Sequence, residues 1–119
     1  MSKQISKTSD IRLKIGLNEQ RIPVDIKWQA SDSSHEELRD CKSFALHIWD
    51  PVEKNTLGIQ LWTNEMMADE MHAHFFQSIL QIAENYHKAT GNPHVKKATK
   101  EFCENLSKMT DEWEKSRGK

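Results

Sequence analysis

Six histidines, two cysteines and eighteen acidic side chains are where this 119-residue chain could do chemistry, and their spacing argues against most of it. His72 and His74 stand two apart in a helical pattern, so they diverge by about 200° and cannot share an ion. Glu70 and His74 are four apart and share a helix face, but two ligands make no metal site without partners from elsewhere. There is no H-E-x-x-H and no C-x-x-C. Cys103 falls on an apolar helix stripe and reads as core, and neither cysteine has the setting of an activated nucleophile. Two reduced thiols in segments patterned as helix are the expectation, with a single Cys41–Cys103 disulfide as the alternative. No serine sits in a G-x-S-x-G elbow, and the four glycines are scattered too widely to cradle a phosphate. Asp69–Glu70 and Asp111–Glu112 are adjacent carboxylates on diverging helix faces, and read as solvated charge. The expectation is a protein that is not an enzyme and carries no cofactor and no metal.

Charge narrows the partners. Seventeen Lys and Arg against eighteen Asp and Glu leave a net charge of −1, so no clustered basic surface is expected for nucleic acid or an anionic membrane. The apolar runs are only a few residues long, which predicts no membrane insertion. Residues 1–10 start with a positive charge but lack an apolar stretch, so they read as a flexible leader and not as a secretory signal. Residues 115–119 read as a flexible tail, and 11–114 as a single α+β domain.

The elements follow from periodicity. Residues 11–17 alternate apolar and polar, as a half-buried strand does, and Ile22, Val24, Ile26 and Trp28 resume the alternation after a polar turn. Pro23 cannot donate to a ladder and is expected at a strand start or edge. Residues 31–42 break the pattern. Ser34 with Glu37 has capping-box spacing, which predicts at most one helical turn over residues 36–41 inside a polar loop. Residues 44–49 and 57–62 form the third and fourth strands. Facing Ile48 with Ile59 and Leu46 with Leu61 puts Phe44, Leu46, Ile48, Leu57, Ile59 and Leu61 on one apolar face. It also sets Trp49 over Gly58 and His47 against Gln60 on the other.

Two helices complete the chain. Residues 67–90 carry Met67, Met71, Phe75, Ile79, Ile82, Tyr86 and Ala89 at helical steps, widened by Phe76, Leu80 and Ala83, and Gly91 suits a left-handed cap. Asn92 before Pro93 opens a second helix to about residue 113, with Val95, Ala98, Phe102, Leu106, Met109 and Trp113 as its stripe. The short connection makes the helices antiparallel. The fold class is therefore α+β: a four-stranded antiparallel sheet of two hairpins, with two antiparallel C-terminal helices packed on one face.

That arrangement singles out an interface. Trp49, Trp62, His47, Gln60 and Ala45 share the sheet face the helices leave open, and tryptophan is a frequent interface anchor. The bland alternative is that Trp49 and Trp62 close over the sheet end or under the 31–42 loop. Otherwise they serve self-association, as in a homo-oligomer, or a protein partner.

One stretch also resembles a known family. The run Leu57-Gly58-Ile59-Gln60-Leu61-Trp62-Thr63-Asn64-Glu65-Met66-Met67-Ala68-Asp69-Glu70-Met71 is similar to the I-D-L-W-T-x-x-M-x-x-D-E-M run of the gliding-motility protein GldC family. Phe75-Phe76-Gln77-Ser78, Ala89-Thr90-Gly91, the strand Pro23-Val24-Asp25-Ile26-Lys27-Trp28, Ile48-Trp49-Asp50 and Phe102-Cys103 extend the likeness over residues 10–110. Gln60 departs from the family's Asp and Met67 from its frequent Pro. The resemblance implies a small cytoplasmic protein assisting bacterial gliding, with partners in the gliding machinery and no assigned catalytic residue or cofactor. Four strands followed by two helices also resemble, in layout only, the SecB-type holding chaperone for exported proteins, which is the alternative function.

Overall fold

The computed structural model describes residues 3–32 and 37–118. Five strands precede two helices: β1 (Ile11–Leu17), β2 (Pro23–Ala30), β3 (Arg39–Cys41), β4 (Ser43–Asp50), β5 (Asn55–Trp62), α1 (Ala68–Thr90) and α2 (Pro93–Arg117). The protein is thus α+β with C-terminal helices, as the periodicity predicts. It divides into two compact units, Met1–Met66 and Met67–Lys119.

In the first unit, β1 and β2 pair antiparallel, with Leu13 facing Trp28 and Ile15 facing Ile26. Their turn is built by Asn18, whose Oδ1 accepts from the Gln20 and Ile22 amides at 2.9 and 3.0 Å while Arg21 takes φ 62. Pro23 opens β2, where its missing N–H does least harm to the ladder. Lys7 pairs with Asp32 at 2.7 Å, Ser9 donates to the same carboxylate, and Asp10 and Ser31 exchange hydrogen bonds, so this stretch lies along the end of β2.

The sheet differs from the predicted single four-stranded one. The strand order is β1-β2-β3 in one sheet and β4-β5 in another. Only Lys42, in a bend, separates β3 from β4; the third strand predicted over residues 44–49 is present as β4, and a further short strand precedes it. β3 pairs with β2 (Ile26↔Cys41, Lys27↔Asp40, Trp28↔Arg39) and β4 with β5. Residues 39–41 are therefore strand, not the predicted helical turn. The exposed edge of β2 needs ladder partners, whereas a single helical turn carries its nucleation cost with little return. Ser34, half of the proposed capping box, lies outside the described residues. Ile26, on the central strand, is 1% exposed, flanked across the sheet by half-buried Ile15 and Cys41.

In the second unit, α1 starts where the Met67 amide donates to Glu70 Oε1 at 3.0 Å and stops at Gly91, whose φ of 77 is open to glycine at little cost. Asn92 caps α2 by accepting from the His94 amide at 3.0 Å, with Pro93 in the first turn. This helix runs to Arg117, one turn beyond the expected end, with the Arg117 guanidinium 4.6 Å from the Trp113 ring. The helices pack along His72, Phe76, Ile79, Ala83 and His87 of α1 and Val95, Thr99, Cys103, Leu106 and Thr110 of α2, all buried or half-buried. A His72–Glu114 contact of 3.2 Å at one end fits the antiparallel arrangement. Part of the predicted stripe lies outside this seam: Phe75, Ile82, Tyr86, Phe102, Met109 and Trp113 are all exposed. The apolar faces are wider than one neighbouring helix can cover.

Candidate interaction surface

The five residues predicted to form an interface all come from the β4–β5 hairpin. Its loop is a four-residue connection, 51–54, closed by the Lys54 amide on the Asp50 carbonyl at 2.8 Å with Lys54 at φ 55. Asp50 Oδ1 also accepts from the Val52 amide at 2.8 Å. This loop is shorter than the seven-residue connection the pattern suggests, and it moves the register. Ile48 pairs with Leu57, Leu46 with Ile59 and Phe44 with Leu61, two residues from the expected pairing. A slip of two leaves every side chain on its expected face, because faces alternate with period two. Cross-strand neighbours do change. Gly58 lies opposite His47, not under Trp49; Trp49 faces Thr56, and Gln60 faces Ala45.

Ala45, His47, Trp49, Gly58, Gln60 and Trp62 thus share one face. At its centre Gln60 Nε2 and His47 Nε2 make a diagonal hydrogen-bond contact of 2.9 Å. A Cβ on Gly58 would stand 3.0 Å from His47 Cδ2, so glycine lets the ring lie flat on the strand. Trp49 and Trp62 are 61% and 55% exposed. They are not adjacent. Trp62 pairs with Ser43, six positions from Trp49, so about 20 Å separates the two anchors along the ladder. Beside Trp62 the surface dips into a largely apolar pocket of about 380 Å³ lined by Ile22, Pro23, Gln60, Leu61, Trp62 and Asn64. On the opposite face Leu46, Ile48, Leu57 and Ile59 are also exposed, while Phe44 and Leu61 are half-buried.

A second pocket, of about 450 Å³, was not foreseen. Val24, Asp25, Ile26, Lys27, Asp40, Cys41, Lys42, Thr63 and Glu65 line it. Lys27 Nζ donates to Asp40 and lies 3.5 Å from Asp25. The Asp40 hydrogen bond leads the effects that raise its pKa above the ordinary lysine value. Burial pushes the Cys41 thiol up, the opposite of activation. Thr63 is 4% exposed, and its hydroxyl has no hydrogen-bond partner among the described residues. The pointer in the sequence is Thr63 itself, which ends the Leu61-Trp62-Thr63 run. Alternation alone cannot bring it beside residues 24–27 and 40–42.

The remaining candidates stand apart. Cys41 and Cys103 are free thiols, the first on strand β3 and the second buried in the helix seam. Glu70 is engaged at the start of α1. Among the described residues no group of three or more His, Cys, Asp or Glu is placed to hold a metal ion, and no helix is long and apolar enough to cross a membrane.

A strand-rich unit with a tryptophan-bearing open hairpin, followed by a helical hairpin, defines a small α+β protein whose most distinctive surface is apolar. Residues 23–112 match the family described as gliding motility-associated protein GldC-like. The chain belongs to that family, and is associated with gliding motility through it. No curated protein and no solved structure matches it.

Proposed function

We propose that this chain is a non-catalytic accessory protein of bacterial gliding motility, acting in the cytoplasm by contact with another protein of the gliding machinery. The partner docks on the β4–β5 face of Trp49, His47, Gln60 and Trp62, with Ala45 at its floor. The observation that carries this reading is a pair of half-exposed tryptophans on one face, of which Trp62 stands beside a 380 Å³ apolar pocket. Large aromatic anchors next to a pocket are where binding energy concentrates in interfaces, and a patch of this kind is seldom displayed without use.

The test is the double variant Trp49→Ala/Trp62→Ala in a gliding bacterium lacking its own copy. Wild type restores colony spreading and retains its partner in a pull-down. The variant, present at equal level and with unchanged circular dichroism, loses both, with partner affinity down at least about 30-fold, or 2 kcal/mol. A folded variant that restores spreading and holds the partner equally well defeats the assignment. Suppression of aggregation of unrelated unfolded proteins by wild type, with no defined partner, would favour the holding-chaperone alternative.

A further inference from the structure

The three-stranded sheet ends in a strand that is paired on one side only. β1 stands at the edge of the order β1-β2-β3, seven residues and about 24 Å of backbone. The ladder tells which of its groups point outward. The Ser31 amide donates to the Asp10 carbonyl, so Asp10 and Ser31 form a hydrogen-bonded pair, continuing the register that sets Ile11 against Ala30. Such pairs alternate in an antiparallel ladder. The backbone of Arg12 and Lys14 therefore turns toward β2, and that of Ile11, Leu13 and Ile15 turns away from it. Their N–H and C=O groups line the outer edge, and among the described residues no turn or loop backbone bonds to them. The helical unit cannot supply this partner wherever it sits, because a helix pairs its own N–H and C=O groups along its axis.

The side chains of β1 specify what pairs with such an edge. Arg12 and Lys14 are exposed on one face, and Ile11, Leu13 and Ile15 occupy the other. Opposite the two cations β2 places Gln29 and Lys27, and Lys27 is itself held by Asp40 and Asp25. Among the described residues neither Arg12 nor Lys14 takes part in an ion pair. A second copy of β1 laid antiparallel about Leu13 would set Arg12 beside Lys14, cation against cation, which disfavours self-pairing. A strand with carboxylates at those positions gains where the copy loses. The edges of the other sheet carry no such instruction, since residues 44–49 and 56–62 contain no Lys, Arg, Asp or Glu.

We propose that the outer edge of β1 is a strand-addition site for a protein partner, taking an extended segment in which apolar residues alternate with Asp or Glu. The partner's backbone pairs with Ile11, Leu13 and Ile15, and its carboxylates lie beside Arg12 and Lys14. Its apolar side chains continue the face of Leu13 and Ile15. This contact does not use the Trp49–Trp62 face.

Amide NMR on the full labelled chain tests this with the peptide acetyl-Thr-Val-Glu-Val-Glu-Val-Thr-amide. In the free protein the Ile11, Leu13 and Ile15 amides should exchange with water at least about 10-fold faster than those of Arg12 and Lys14. Saturating peptide should shift these three amides, slow their exchange by a similar factor, and leave β4 and β5 unchanged. The same peptide with Lys in place of Glu should bind about 10-fold more weakly, and Arg12→Glu/Lys14→Glu should reverse that order. N-methylation of the central valine removes one ladder donor and keeps the charge, so it should also cost about 10-fold in affinity. Trp49→Ala/Trp62→Ala should bind the peptide as wild type does, which separates failure here from failure of the motility-partner reading. No shift at about 1 mM peptide overturns the proposal. So do equal affinities for the acidic and basic peptides, shifts confined to β4 and β5, or Ile11, Leu13 and Ile15 amides already protected in the free chain. If the charge-reversed variant unfolds, the three peptides on wild type still decide.

Discussion

Ile26 and Ile48 are the same side chain in opposite circumstances, and they should respond to truncation very differently. Ile26 is 1% exposed on the central strand, and Ile48 is 50% exposed on a two-stranded hairpin. Ile→Ala removes three carbons. At about 0.8 kcal/mol per buried carbon the transfer loss at Ile26 is about 2.4 kcal/mol, and the cavity left between Ile15 and Cys41 raises it to about 3–4 kcal/mol. At Ile48 half the transfer loss applies and no closed cavity forms, which leaves about 1 kcal/mol. The cleanest readout is native-state amide exchange of β1 and β2, because the two units need not unfold together. Ile26→Ala should speed the slowest β2 amides by about 100- to 1,000-fold, whereas Ile48→Ala should leave β2 nearly untouched and speed β4 and β5 by about fivefold. An Ile48→Ala as costly as Ile26→Ala would refute this reasoning, because it would mean that the apolar face of the hairpin is buried.

Two further outcomes follow from single side chains. Thr63→Val keeps the shape and removes a buried hydroxyl without a partner, so urea denaturation should find stability unchanged or raised by about 1 kcal/mol; a loss above that would mean the hydroxyl is satisfied. Asp32 has its pKa held below the ordinary carboxylate value by the Lys7 hydrogen bond first and Ser9 second, so its stabilising effect is present above that value and fades as pH falls through the depressed one. An NMR titration should place the Asp32 midpoint below 3.8, and Lys7→Gln should move it upward; no movement would remove Lys7 as the cause.

The elements that could be read from the chain are those whose cause is local. β1 is marked by alternation, the ends of α1 and α2 by Gly91 and by Asn92-Pro93. β3 was not readable, because three polar-flanked residues become a strand only when β2 offers them an edge. The register of β4–β5 shows a subtler limit. Burial specifies which face a residue occupies, and so determines pairing only to within steps of two. The choice among those steps was made by Asp50 and Lys54 closing a short loop. The same division holds for the candidate surface. Its membership follows from face parity, but the distance between Trp49 and Trp62 depends on the register, and the Thr63 pocket gathers segments far apart in sequence. In the helices the apolar positions were legible, but not which of them meet the partner helix, because their stripe is wider than the seam.

The β4–β5 hairpin is tied to the rest of its unit near one end. Thr63 donates to the Lys42 carbonyl at 2.8 Å and Asn64 to the Pro23 carbonyl at 3.2 Å, both beside Trp62, while the loop at 51–54 lies eight residues, or about 27 Å, away. Mechanically this is a cantilever clamped at its root. A tilt of about 10° at the clamp would swing the free tip by about 5 Å and barely shift the root. Such a tilt would leave Trp62 in place and carry Trp49 with the tip, so a partner gripping both would read the angle of the lever as well as the chemistry of its face.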